Sequence, residues 1–440
     1  MKALSLEADW DPRPEVAATL DPTDVANRVA RRGNQVWRNP RISVATLPDP
    51  SPGPDDVVIR VRACGICGSD FHFVESDAAG YMLYPGLIRT PVVTGHEFAG
   101  VVDAVGPAVR DFAPGDLVCA EEIAWCGECL ACRSGRPNNC TRIQELGFSF
   151  NGAHAEWVVT RARYCWSLAP LLAAGIPADR IFQLGALVEP TAVAYIAMFV
   201  SAGGFMPGAT VGVVGAGPIG LAAIALARAA GAGQVLAFEV VEGRRALASA
   251  MGADTVLDPQ ALGPDGVADA AREASRGRGI DLWVEASGAA GVAELMAASL
   301  APAGRVVLVG RGPHMIDLDP EFLIVRGAAI HGSIGHSGSG AFGRVIDLMA
   351  AGRLDVTRLV SATVDLEAAA QLLDGTPRRE SGKILVAHRG QRRRPSARSR
   401  FRACGRTAPD NSPSLGLPLS YRLSAVYSAG PGAADSDLSS

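Results

Sequence analysis

The chain has 440 residues, 48% of them apolar, and a formal charge of −4 at pH 7. That length favours about two domains of ordinary size, and the charge argues against a dedicated nucleic-acid binder. Nine cysteines are too few for a disulfide scaffold. The opening MKALSLEADW, with Glu7 and Asp9 and no apolar run behind Lys2, does not read as a signal peptide. A reducing, cytoplasmic setting is therefore expected, and it disfavours disulfides.

The first residues read as a hairpin interrupted by a Pro/Asp/Arg-rich insertion over 8–33, expected to be a surface loop or disordered. CGICGSDFH (64–72) and TGHEFAG (94–100) follow. A catalytic zinc takes three protein ligands and keeps one position open. Cys67, His96 and Glu97 offer a thiolate, an imidazole and a carboxylate, and Gly65, Gly68, Gly95 and Gly100 permit the sharp turns that would present them to one ion. Taken singly, a buried cysteine is a small hydrophobe and a His-Glu pair is ordinary surface.

The stretch WCGECLACRSGRPNNC (125–140) spaces Cys126, Cys129, Cys132 and Cys140 as C-x2-C-x2-C-x7-C. Four thiolates suit a closed, structural zinc site. An iron–sulfur cluster takes the same ligands and is the competitor. A dithiol redox motif would leave two cysteines surplus. Cys64 forms a C-x2-C pair with Cys67 and is a candidate ligand by spacing; Cys119 and Cys165 read as core, and Cys404 falls in the tail.

From Thr191 to Ala227 no residue is charged, a length that admits a membrane helix. Seven glycines and two prolines interrupt it, so a buried helix followed by a buried strand is the better reading, with no membrane contact. Within it, ATVGVVGAGPIGLAAIALARAAGA (209–232) is a strand, a glycine turn and a helix. Gly215, Gly217, Pro218, Ile219 and Gly220 form the turn, whose context is that of a dinucleotide site. The glycines turn the chain, admit the pyrophosphate and pack helix on strand. The helix N-terminus offers N–H donors to the phosphates. Glu239 ends the next strand, where an acid accepts the ribose hydroxyls and repels a 2′-phosphate, favouring NAD over NADP. Arg244 and Arg245 follow on the next helix and weaken that preference, unless they are simply solvated. Further strands at 280–288, 304–310 and 328–334 indicate a parallel doubly wound sheet. Residues 389–440 begin with eight arginines in eighteen residues and read as a disordered tail.

In this order and spacing, CGICGSDFH, TGHEFAG and the four-cysteine loop resemble the zinc-dependent medium-chain dehydrogenases, the alcohol, sorbitol and threonine dehydrogenase superfamily, over roughly residues 34–388. The resemblance implies an α/β chain with a GroES-like catalytic domain over 1–188, a Rossmann NAD-binding domain over 189–335 and a return to the catalytic domain over 336–388. It implies two zinc ions per chain. Cys67, His96, Glu97 and Glu189 (in ALVEPTAVAY) would surround the catalytic one, with Glu189 ligating directly or through water. It further implies a proton relay through Ser69 and His72, with Asp70 orienting the ligand histidine. A homodimer or homotetramer is the family expectation.

Four stretches, GYMLYPGLIRTPVVTGHEFAG, CAEEIAWCGEC, ELGFSFNGAHAEW and GSIGHSGSGAFGRVIDLMAAG, make the chain similar to cyclitol dehydrogenases of the inositol and scyllo-inosose type. Glu121, Glu122, His336 and Arg344 would then give a polyhydroxylated ring polar partners, or else serve loops and interfaces. The rivals are a sorbitol- or threonine-type polyol dehydrogenase and a zinc- and NAD-binding redox sensor without turnover. Both metal motifs disfavour the zinc-free quinone reductases of the same fold.

Overall fold

The structure, a computed structural model, describes residues 1–388 apart from 313–314, 318 and 375–381. The tail expected over 389–440 and Cys404 lie outside these residues.

The strand Asp56–Gly65 organises the first sheet. Its alternating Val57, Ile59 and Val61 bury one face in a core with Phe98, Val102, Val118 and Val158, as period-two burial requires. Glu97–Val105 pairs antiparallel along its length, with Gly65 opposite Glu97. Lys383–Ala387 and Trp157–Arg161 also pair with it. Leu117–Ala120, Cys165–Ser167 and Val360–Val364 complete seven strands. The chain thus returns to this sheet after the nucleotide-type sheet, and the late strand brings Lys383 beside Glu97.

The second sheet has six parallel strands. Their spatial order is Thr255–Leu257, Gln234–Phe238, Thr210–Val214, Ile280–Glu285, Leu300–Leu308 and Ala329–Gly332. In sequence terms this is 3-2-1-4-5-6, the doubly wound arrangement whose ligand crevice lies at the carboxyl ends of the central strands. The expected GroES-like and Rossmann combination is present.

The uncharged stretch resolves as anticipated. Helix Val188–Tyr195 runs into a π-helical turn, Ile196–Ser201, and the fully buried strand Thr210–Val214 follows. Val188, Ala192, Ile196 and Met198 share one core with Val211, Leu221, Phe342 and Val345. The helices Ala178–Ala186 and Val188–Ser201 meet at a bend of 43°, and no single helix among the described residues is long and apolar enough to cross a membrane.

The N-terminal insertion differs from expectation in both extent and order. Lys2–Trp10 pairs with Trp37–Thr46 out to Trp10 opposite Trp37, so the strand continues past residue 8. The intervening chain forms helices Pro14–Ala17 and Pro22–Asn27 and a short strand, Val29–Ala30, paired with Ile88–Arg89. Asp21 caps the second helix by accepting from Thr23 N at 2.7 Å, the usual N-cap role. Order comes from burial: Ala30, Val36 and Trp37 pack with Leu6, Phe73, Met82, Ile88 and Phe148. Arg13 stacks on the Tyr81 ring at 3.9 Å and pairs with Asp77.

Candidate active site and metal centres

The four-cysteine loop folds on itself through Gly127 and Gly135, which sit at φ +83° and +75°, a region that glycine enters without strain. Cys126 Sγ lies 3.9 Å from Cys132 Sγ, and Cys129 Sγ 3.9 Å from Cys140 Sγ. Bonds of about 2.3 Å to a central ion give a tetrahedral edge of about 3.8 Å, so the donors fit a four-thiolate site. The N–H groups of Glu128 and Cys129 point at Cys126 Sγ at 3.4 Å each. These donors pull the Cys126 thiol down to about 5. Thiolate is the form a metal binds.

Cys67, His96 and Glu97 offer ligand atoms that all lie within 4.8 Å of one another, and so do His96, Glu122 and Glu189. The two groups share His96. Cys67 ends the loop after Asp56–Gly65 and caps helix Gly68–Val74. Glu97 opens its strand, and a Cβ on Gly65 would stand 2.1 Å from Glu97 Oε2, so glycine is required there for the carboxylate to lie across the strand. Glu97 and Lys383 are each 1% exposed. Lys383 Nζ donates to Glu97 Oε1 at 2.6 Å and to Ile66 O at 3.0 Å, leaving Glu97 Oε2 enclosed and without a hydrogen bond. His96 Nδ1 and Glu122 Oε2 are enclosed without a hydrogen bond too, and His336 Nε2 has only ion-pair contacts with Glu189 and Glu122. Buried polar atoms are normally paired. A set of unpaired oxygen and nitrogen donors beside a thiol is therefore chemistry that suits a zinc ion.

Glu189 lies in the first turn of helix Val188–Tyr195, with Oε1 3.3 Å from His336 Nε2. Burial pushes its carboxyl up to about 7 against the pull of His336. Glu122 reaches toward His336 at 3.7 Å and His96 at 4.0 Å. Burial opposes its charge, but the two imidazoles hold its carboxyl below the usual range. Glu145 sits on the strand Gln144–Glu145 paired with Ile123–Ala124. Burial, reinforced by Glu122, pushes it up to about 8.

Helix Gly68–Val74 carries the expected relay residues. Ser69 Oγ is enclosed and makes no hydrogen bond. His72 is exposed, with Nδ1 2.9 Å from Glu75 Oε2. Asp70 is fully buried; its Oδ2 accepts from Cys67 N at 2.8 Å, while its charge bears on His96.

At the second sheet, Gly215 turns at φ +86°, a Cβ on Gly220 would lie 1.8 Å from Gly215 O, and a Cβ on Gly217 would meet nothing within 4 Å. Two glycines are thus demanded by the protein's own packing, while the third faces open space, as a pyrophosphate cradle requires. Pro218 and Ile219 open helix Pro218–Ala229. Glu239 is buried; its Oε2 accepts from Ala216 N at 2.6 Å and its Oε1 from Val241 N at 2.9 Å. The acid therefore ties the glycine turn to the neighbouring strand, with lone pairs left over. Arg244 Nε is enclosed without a partner, whereas Arg245 pairs with Asp258 at 3.1 Å.

Two of the anticipated polar partners are engaged in other contacts. Glu121 accepts from the indoles of Trp166 and Trp125 at 2.9 and 3.3 Å, and Arg344 is exposed, its Nε 3.4 Å from Ser339 O. Glu122 and His336 are at the site. Lys383 and Glu145 were not singled out from sequence, where each is one charged residue among many. Cys119 and Cys165 are buried, as expected, and so is Cys64.

Two metal centres' worth of donors beside a doubly wound sheet define a class, the zinc-binding dehydrogenases. Residues 53–170 match the alcohol dehydrogenase GroES-like domain and residues 218–351 the zinc-binding dehydrogenase family. The chain belongs to that family and is an oxidoreductase of the alcohol dehydrogenase type, using zinc and a nicotinamide cofactor on small molecules. The scyllo-inosose 3-dehydrogenase of Thermotoga maritima is 43% identical over 399 residues, covering 88% of this chain and 98% of that protein. A solved Thermotoga maritima structure assigned to the alcohol dehydrogenases superposes with a TM-score of 0.84 at 42% identity, covering 88% of this chain and all of that one. A Sinorhizobium meliloti structure assigned to the zinc-binding dehydrogenases, bound to NADP, has a TM-score of 0.69 at 30% identity, covering 82% of this chain and 99% of that one.

Proposed function

We propose that the chain moves hydride between a secondary alcohol of a cyclitol, of the inositol or inosose type, and NAD. One observation carries this reading: the donors around His96 continue into a cluster of enclosed ionisable groups, Glu122, Glu145, Glu189 and His336. The similarity to a scyllo-inosose 3-dehydrogenase across nearly its whole length supports the same substrate class.

In this reading Cys67, His96, Glu97 and Glu189 hold one zinc, and Cys126, Cys129, Cys132 and Cys140 hold a second. Bound there, the first ion would supply Lewis acidity at the carbinol oxygen, and a bound nicotinamide would supply the hydride acceptor. Ser69 orients the carbinol O–H and accepts its proton while handing its own onward toward His72, which releases one proton to solvent. Asp70 sets the direction of His96. Lys383 restrains Glu97 through one oxygen and leaves the other to the metal. Gly215, Gly217, Pro218, Ile219 and Gly220 seat the pyrophosphate and Glu239 takes the adenosine ribose hydroxyls, which favours NAD; Arg244 flanks them and works against that preference. Residues 1–188 and 336–388 form the catalytic domain and 189–335 the nucleotide domain. A cytoplasmic homodimer or homotetramer accords with the edge strand Ala329–Gly332 and the exposed Ile324, Val325 and Ile334 nearby.

The test is NAD reduction by the zinc-loaded protein against myo-inositol, inosamines, sorbitol, threonine and simple alcohols, with scyllo-inosose tested in the reducing direction. A cyclitol clearly ahead is expected. Sorbitol or threonine ahead would keep the machinery and discard the substrate. Silence throughout, with two zincs bound, would favour a redox sensor.

A further inference from the structure

We propose that Glu122 selects a vicinal polyol over a monoalcohol, its carboxylate accepting the O–H on the carbon next to the reacting carbinol. This rests on the polyol reading above and adds to it the residue that enforces it.

Glu122 follows the strand Leu117–Ala120 and precedes Ile123–Ala124. Its side chain is 12% exposed. The pairing of Ile123–Ala124 with Gln144–Glu145 brings a second carboxyl near it, whose ionisation burial and Glu122 oppose. Glu122 Oε2 and Glu145 Oε2 are both enclosed without a hydrogen-bond partner. The other acids nearby are committed differently: Glu97 to Lys383, Glu189 to His336 at 3.3 Å. His336, fully buried, stands between Glu122 and Glu189 and fixes the direction of both.

Leaving a charged oxygen buried and unpaired costs more than the roughly 1–3 kcal/mol of a neutral group. A ligand with a donor at the right place removes that cost; one without it does not. Glu122 Oε2 is 4.0 Å from His96 Nε2, so the group it meets is adjacent to whatever His96's metal holds. For an alcohol bound through its carbinol oxygen, that group is the neighbouring hydroxyl. A monoalcohol brings a C–H there and leaves the carboxylate bare, the arrangement that rejects analogues most strongly.

The experiment compares binding of trans-cyclohexane-1,2-diol and cyclohexanol to the zinc-loaded protein with NADH, by titration calorimetry, alongside zinc content and cyclitol turnover. The wild type should prefer the diol by roughly tenfold or more. Glu122→Leu should bring the ratio to about one, and Glu122→Gln, of the same shape, should lower it at least about fivefold, both with two zincs retained. The glutamine variant carries the test if the leucine variant does not fold. No diol preference in the wild type, or a preference that survives in the variants, overturns the proposal. Loss of a zinc in both variants also overturns it, since Glu122 would then be a ligand. Diol preference lost in the variants while no cyclitol is oxidised sinks the cyclitol reading and leaves the role of Glu122 standing.

Discussion

Lys383 and Glu97 form an ion pair at 2.6 Å with 1% of each side chain exposed. Burial works against the ammonium, but Glu97, with Cys67 and Glu189, keeps the Lys383 pKa raised. Such a pair contributes little over an apolar replacement of both partners, but removing one of them is severe. Lys383→Met should therefore cost about 3–5 kcal/mol in chemical denaturation, and adding Glu97→Gln to it should recover part of the loss. A cost below about 1 kcal/mol in the single variant would mean that water reaches the pair. A second residue-level test concerns the cofactor. Glu239→Ser removes the acid expected to repel a 2′-phosphate, and the kcat/KM ratio of NAD to NADP should fall by about tenfold or more. An unchanged ratio would assign Glu239 only the task of bracing Ala216 N. At this scale legibility tracked locality. Cys67, His96 and the glycine turn announce themselves through their neighbours in sequence. Glu122 and His336 were recognisable as polar partners, but Glu121 and Arg344 looked the same until two indoles and the solvent were seen to claim them. Lys383 gave no signal, because its meaning comes from a contact 286 residues away.

At the scale of elements, the proposed zinc among its four sulfurs would be what stabilises the cysteine loop. Little apolar packing is available to it: among its residues Leu130 is 82% exposed. Metal binding and local folding are then one equilibrium. Cys132→Ser should lower zinc from two to one per chain by metal analysis and make the loop the first site of proteolysis, while zinc at Cys67 and His96 remains. Full metal retention would defeat the assignment. The segment between Trp10 and Trp37 shows the opposite case. Its Pro/Asp/Arg composition suggested a loose loop, yet it is tied by Arg13 on Tyr81, by the Val29–Ala30 strand and by an edge-to-face contact of Trp10 with Trp37 at 5.1 Å. A few buried residues decided the outcome, and average composition conceals them.

Across the whole molecule, acid sensitivity can be traced in part to His388, beside the last strand. Burial pushes its imidazole down to about 4, and His154 adds to this. Above the usual value near 6.5 the ring is neutral folded or unfolded and contributes no pH dependence. Below that, the unfolded chain takes a proton that the folded one refuses until about 4. Stability should fall across that window, by up to about 3 kcal/mol from this group. His388→Gln should flatten the decline of Tm between pH 6.5 and 4.5 relative to wild type; identical profiles would show that the ring titrates normally. The two-sheet architecture itself was legible from the alternation of strand and helix and the placement of the zinc motifs before it.

The late strand Lys383–Ala387 closes onto Asp56–Gly65 and supplies the ammonium to Glu97. During synthesis, the N-terminal part of this sheet emerges long before its final partner exists. Until residue 383 leaves the ribosome, Glu97 has no counter-charge and the strand edge at Ala63–Gly65 is open. The nucleotide sheet, whose strands lie wholly between 210 and 332, can fold in that interval, and the metal-binding half is completed last. A chain interrupted between 190 and 383 would carry every proposed zinc ligand and still lack a finished place to hold the ion.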